Sequence, residues 1–239
     1  MGCGDLPELL DPPTKATTSP HSFKRANSSR PLAWRTRRST MEKKLRGKKV
    51  AILVADGFEQ IELTEPKKAL EDAGAITEIV SPADDQVQGW NHDEKADLFS
   101  VDMPLTRARS DDYDALLLPG GVRNPDQLRM MTRAVEFVDG FFATGKPVAA
   151  ICHALWTLID SDVVKGRTIT SWPSLKKDLI NAGARWVDRD VVVDSGLITS
   201  RKPADLPAFN KKMIQAFAEG RLVRNVHRFT PISYADLSH

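Results

Sequence analysis

Cysteine is nearly absent from this chain: its 239 residues contain two, Cys3 and Cys152. Two thiols so far apart do not make a disulfide framework, and such usage points to a reducing compartment. No stretch approaches the 18 apolar residues of a membrane span. Nor is there a large excess of one charge, with 34 Lys and Arg against 32 Asp and Glu. The surplus lies in residues 1–40, which carry seven bases and three acids, and from Met41 onward the balance is 27 to 29. A nucleic-acid groove is therefore not indicated. His92-Asp93-Glu94 has no second cluster of His or Cys at ligand spacing, so it reads as a solvated loop rather than a metal site. These absences lead to the expectation of a soluble, cytoplasmic protein without a metal site.

Residues 1–40 mix Pro, Ser, Thr and Arg without apolar periodicity, the pattern of a disordered basic extension. They lack the apolar core of a secretory signal, their three acids argue against a transit peptide, and Leu6 stands where a myristoylation signal needs Ser or Thr. The expectation is that translation starts at Met41. Residues 41–220 then read as one domain, and 221–239 as a tail that packs loosely.

Within the domain, short apolar runs alternate with amphipathic stretches, as strand-helix-strand units around a parallel sheet do. Val50 to Val54, Ala75 to Val80, Asp114 to Pro119 and Pro147 to Ile151 read as strands. Helices are expected from about Ile61 to Ala73, Pro125 to Thr144, Leu175 to Ala182 and Ala204 to Phe217. Pro66 either begins or kinks the first of these. Val191 to Val193 and Leu197 to Thr199 read as extended.

Cys152 stands where a buried strand runs into a helical pattern, between Ala150 and Ala154. Small neighbours allow a sharp turn that lifts the thiol and aims a helix N-terminus at it. Such a setting lowers a thiol pKa into the ~3.5–7.5 range. The plainer alternative is a small core hydrophobe. His153 is the nearest titratable side chain, but a sequence neighbour on a turn need not face the thiol. Glu62, between Ile61 and Leu63, would be desolvated and easily protonated. Glu59 reads as a first-turn acid and Asp126 as a helix-start acid. Gly120-Gly121 permits close backbone approach. Trp156 lies nearest the candidate nucleophile among the five tryptophans. Strand ends in an open parallel sheet share one side, so these segments are expected to meet.

VAILVADGFEQIEL (Val50 to Leu63), YDALLLPGG (Tyr113 to Gly121), KPVAAICHALW (Lys146 to Trp156), NAGARWVDRDVVV (Asn181 to Val193) and TSRKPADLPAF (Thr199 to Phe209) occur in order. Over about Lys48 to Gly220 the chain resembles the ThiJ/PfpI superfamily, which includes PfpI-type intracellular proteases, general stress proteins and the Parkinsonism-associated deglycase. The resemblance implies an α/β, flavodoxin-like three-layer sandwich with a mainly parallel central sheet and a nucleophile elbow. It also implies no cofactor and a homodimer or larger assembly. Cys152 matches the family nucleophile, Glu62 the acid that hydrogen-bonds its sulfur, and His153 the following histidine. Asp126 aligns with an acid that approaches the histidine from a neighbouring subunit in PfpI-like members. Ala154 and Leu155 replace the usual Gly-Pro, which bears on pocket shape and substrate choice.

The resemblance implies a cysteine-dependent, stress-protective enzyme on small reactive carbonyls or glycated adducts, of deglycase or glutathione-independent glyoxalase type. The Gly120, Gly121 and His153 backbone N–H groups are its candidate oxyanion donors, and Trp156 is a candidate substrate contact. The alternatives are a cysteine peptidase using Cys152, His153 and Asp126 across an interface, and a redox sensor or holding chaperone oxidised at Cys152. A glutamine amidotransferase ranks last, because neither His227 nor His239 opens the His-x-Glu pair it needs.

Overall fold

The computed structural model describes residues 44–220. The expectations for residues 1–40, Met41 and 221–239 lie outside that range. In chain order the elements are β1 (Lys49–Leu53), β2 (Phe58–Glu59), α1 (Gln60–Asp72), β3 (Ile76–Ser81), β4 (Gln86–Asn91), β5 (Glu94–Ser100), β6 (Met103–Pro104) and β7 (Ala115–Leu118). There follow α2 (Arg123–Arg129), α3 (Thr132–Ala143), β8 (Val148–Ile151), α4 (Leu155–Asp160), β9 (Thr168–Ile169) and α5 (Lys176–Asn181). The last are β10 (Arg185–Trp186), β11 (Val191–Asp194), β12 (Leu197–Ser200) and α6 (Leu206–Glu219).

The central sheet runs β11-β12-β8-β7-β1-β3-β6, parallel throughout except for β11 at one edge. Counting only its five main parallel strands gives the order 2-1-3-4-5, one of the two common doubly wound arrangements. Side chains alternate along each strand, so Ala51 and Leu53 of β1 join one core and Val50 and Ile52 the other. The first core includes Leu116, Val148 and Phe137 of α3; the second includes Ile198, Leu70 of α1 and Phe209 of α6. Burial on both faces is why these strands read as unbroken apolar runs. Three layers result, as expected.

One expectation about helices changes, and the position of Pro66 decides between two readings. The stretch from Pro125 to Thr144 is two helices, because Met131 is extended (φ −102, ψ 108) and breaks the hydrogen-bond ladder. Pro66 lies inside α1 rather than at its start, where its ring removes the bond that would run to the Glu62 carbonyl.

Between β3 and β7 the sequence showed no strand pattern, yet β4 and β5 form an antiparallel hairpin that pairs through β4 with β2. Its turn is His92-Asp93, with His92 in the left-handed region at φ 56. Among the described residues no helix is long and apolar enough to cross a membrane.

Candidate active site

Three strand ends converge where the strand order reverses, between β1 and β7, with β8 alongside. At the end of β8 the chain turns through a short 3₁₀ segment, Cys152–Ala154, before α4. Cys152 has φ 63, a left-handed conformation that costs a non-glycine residue of order 1–3 kcal/mol. That outlier is the sharp turn anticipated from the small residues around it. The thiol is thereby lifted off the strand into a cleft of about 640 Å³.

Glu62, in the first turn of α1, is wholly buried beneath the thiol. Its Oε2 accepts the Gly120 N–H at 2.9 Å, while Oε1 has no hydrogen-bond partner among the described residues. Burial, with some help from the Glu59 charge, pushes the carboxyl up to about 8. The same burial, compounded by any charge on Glu62, pushes the Cys152 thiol well up, although the His153 and Gly121 N–H groups act against it. The expectation that a helix end lowers this thiol therefore needs correcting. The sulfur is buried beside an acid rather than a cation, and α4 starts three residues later. Ionisation of the thiol consequently depends on Glu62 keeping its proton.

His153 is buried, and desolvation lowers it to about 4, so the imidazole is neutral at physiological pH. Its Nδ1 lies 3.2 Å from the Cys152 sulfur and its Nε2 3.4 Å from Ser174 Oγ. The ring stacks on Trp172 at 5.7 Å and meets Trp156 at 5.3 Å.

Gly120 and Gly121 close the site from β7. A Cβ on Gly120 would come within 2.6 Å of Glu62 Oε2 and 2.7 Å of Cys152 Cβ. Gly121 has φ 80, and a Cβ there would meet the Gly57 carbonyl at 2.5 Å. Gly120→Ala is therefore expected to destabilise the fold by about 1–3 kcal/mol and to push Glu62 and Cys152 apart. Thermal melting and the alkylation rate of Cys152 measure the two effects. Because Glu62 engages the Gly120 N–H, the oxyanion donors that remain are the Gly121 and His153 N–H groups.

Two candidates stand elsewhere. Trp156 is not on the cleft wall; it backs His153 while its Nε1 donates to Asp178 at 3.0 Å, so Trp172 takes the place expected for it. Asp126 is exposed on α2 and contributes to neither hydrogen-bonding contact of His153 within one chain.

Several site residues carry no distinctive sequence signal. Asn124 is buried; its Oδ1 accepts the Ala55 N–H at 2.7 Å, and its Nδ2 donates to the Pro119 and Gly120 carbonyls at 2.8 and 3.0 Å. It fastens the ends of β1 and β7 together. Trp90, His92 and Asp93 from the hairpin, with Arg123 and Trp172, complete much of the wall. The Asn-Pro step after the Gly-Gly turn was the one available hint of Asn124. Among the described residues no group of three or more His, Cys, Asp or Glu side chains could hold a metal ion.

The DJ-1/PfpI family profile matches residues 48–216. The Bacillus subtilis protein named "Putative cysteine protease YraA" is 46% identical over 168 residues, covering 70% of this chain and 96% of the relative. The Staphylococcus epidermidis protein SERP1413 is 47% identical over 170 residues, with 70% and 96% coverage. Among solved structures, Drosophila melanogaster DJ-1beta superposes with a TM-score of 0.65 at 28% identity, covering 72% of this chain and 90% of that one. A two-domain Anabaena variabilis protein with DJ-1/ThiJ/PfpI-like and ferritin-like domains gives 0.66 at 34% identity over 70% of this chain. This chain spans 47% of that longer protein. The left-handed cysteine above a buried glutamate and the matches over these residues agree: the chain belongs to the DJ-1/PfpI family.

Proposed function

We propose that this protein is a cysteine-dependent enzyme that acts on small reactive carbonyl compounds or the adducts they form. The observation that carries this reading is the placement of Cys152, on its left-handed turn, beside a wholly buried Glu62 that accepts the Gly120 N–H, and burial pushes that carboxyl up to about 8. A group poised close to neutral pH can both donate and accept a proton during turnover.

For a 2-oxoaldehyde, the Cys152 sulfur adds to the aldehyde carbon, forming a C–S bond and converting the C=O oxygen to an oxyanion. Two backbone N–H groups, those of Gly121 and His153, lie at the sulfur to receive it. Protonated Glu62 gives its proton to that oxyanion; the carboxylate it becomes takes the proton from the former aldehyde carbon and returns it to the neighbouring carbon, while the new hydroxyl proton passes to the neighbouring carbonyl oxygen, leaving a thioester beside a hydroxyl. Water cleaves the C–S bond, the thiol regains its proton, and a 2-hydroxy acid leaves. Methylglyoxal plus water thus becomes lactate, with no external oxidant or reductant.

The test is incubation of the full chain with methylglyoxal without glutathione, followed by NMR for lactate. Lactate at a rate above the protein-free control is expected; none overturns the reading.

A peptidase reading draws on the name carried by the Bacillus subtilis relative. It requires Asp126 to reach His153 from a second subunit, since the two do not interact within one chain. Hydrolysis of an unfolded protein that vanishes on dilution would favour it over the carbonyl reading.

A further inference from the structure

The cleft carries one cation whose chemistry the reaction above leaves unused. Arg123 stands two residues beyond Gly121, at the start of α2, and its side chain forms part of the cleft wall. Its stem lies against Gly57, where a Cβ would come within 2.5 Å of Arg123 Cβ and 3.1 Å of its Cδ. Its guanidinium carbon is 4.2 Å from the centre of the Trp90 ring. Two contacts thus restrain a long side chain that solvent would otherwise leave free, and restraint before binding reduces the entropy lost on binding.

No carboxylate among the described residues forms an ion pair with Arg123. The nearby acids are otherwise disposed. Glu59 accepts the His92 backbone N–H at 3.1 Å and faces its ring at 3.6 Å. Glu62 lies beneath the thiol and bonds Gly120. Asp93 is on the exposed hairpin turn. A guanidinium stays charged at any working pH, and its planar fork matches a carboxylate. Gly121, whose N–H faces the sulfur, Arg123 and Cys152 line the same cleft, so the anion site and the sulfur open onto one space.

We propose that Arg123 anchors an anionic group of the substrate, so that the cleft favours carbonyl compounds bearing a carboxylate over neutral ones of similar size. The proposal deepens the carbonyl reading, on which it rests, and names a substrate class, the 2-oxoaldehydes that carry a carboxylate on the chain beyond the ketone.

Two readouts separate this inference from the reading beneath it. In the first, Cys152 in the full chain is alkylated by iodoacetate and by iodoacetamide, near-isosteres that differ in charge. In each case the sulfur displaces iodide, a C–S bond replaces C–I, and the thiol proton passes to buffer. Any change in thiol ionisation cancels in the ratio of the two rates. Arg123→Gln, which keeps most of the stem, is expected to lower the iodoacetate-to-iodoacetamide ratio about tenfold, whereas Arg123→Lys keeps part of it. A ratio unchanged within about twofold in Arg123→Gln overturns the anchor. In the second, wild-type consumption of 4,5-dioxopentanoate and of 2-oxopentanal, a charged and a neutral 2-oxoaldehyde of the same chain length, is compared. If the ratio falls but neither compound is consumed, the anchor stands and the carbonyl reading fails. If both are consumed at equal efficiency and the ratio does not fall, the carbonyl reading stands and the anchor fails.

Discussion

Cys152→Ser is expected to lower methylglyoxal consumption by about a thousandfold or more while leaving the melting temperature almost unchanged. The magnitude follows from the chemistry: a serine hydroxyl is a far weaker nucleophile than a thiol without a strong base, and His153 at about 4 is not one. Unchanged stability is expected because serine is close in size and inherits the same φ of 63. The left-handed turn itself is imposed by β8 on one side and the 3₁₀ segment on the other. Coupled consumption and lactate assays on the two proteins measure the effect. Activity of the variant within tenfold of wild type would remove Cys152 from the mechanism.

Glu62→Gln is expected to separate stability from turnover. Unfolded, Glu62 titrates near its ordinary 4.5, whereas folded it titrates at about 8. Folding therefore takes up a proton between these values. The stability contributed by protonated Glu62 is complete below about 4.5 and is lost as pH rises through about 8. Glutamine has no proton to lose. Stability of the variant relative to wild type should thus increase by about 1.4 kcal/mol for each pH unit between pH 5 and 8. Beyond that window the difference should level off. Turnover should fall by a factor of about 10²–10⁴, the usual contribution of a positioned acid or base. Denaturant titrations at four or five pH values, with carbonyl consumption at each, provide both numbers. A stability difference independent of pH would mean that Glu62 is ionised in the folded protein.

The core of the fold was legible because both faces of the sheet are covered. β7 and β8 had to be apolar at every position and β1 at all but its first, Lys49, and the sequence displays this directly. β4 and β5 were not legible for the opposite reason. Every side chain of β5 is partly or largely exposed, so polar residues such as Lys95 and Asp97 break any alternation, and the turn lacks an Asn-Gly signal. The split between α2 and α3 was hidden because each helix keeps its own apolar face and Met131 is an ordinary helix former.

At the site, Cys152, Glu62 and the glycine pair could be named from strand-to-helix transitions and flanking apolar residues. What could not be read was the sign of the thiol shift. That depends on how far the sulfur sinks and on which charge lies below it, both products of tertiary packing. Trp172 and Arg123 were missed likewise, since a tryptophan in a loop and an arginine at a helix start announce nothing until their neighbours are placed. Trp156 was a choice by adjacency in sequence, and adjacency on a turn put it behind the imidazole.

Asn124 imposes a division of labour on this cleft. Its amide holds three backbone groups from two strand ends, and no exposed rotamer could satisfy them together. The floor bearing the nucleophile, its acid and its glycines is thereby clamped, and variation there would disturb all of them at once. The hairpin with Trp90 and His92 is rooted by Val87 and Phe99 in the second core and by the pairing of β4 with β2, while its turn from Asn91 to Lys95 is exposed. Its rim can be lengthened, shortened or recoloured in charge without loosening the floor. New substrates for this scaffold are thus best sought by rebuilding the exposed turn, residues 91–95, while the catalytic base plate is left alone.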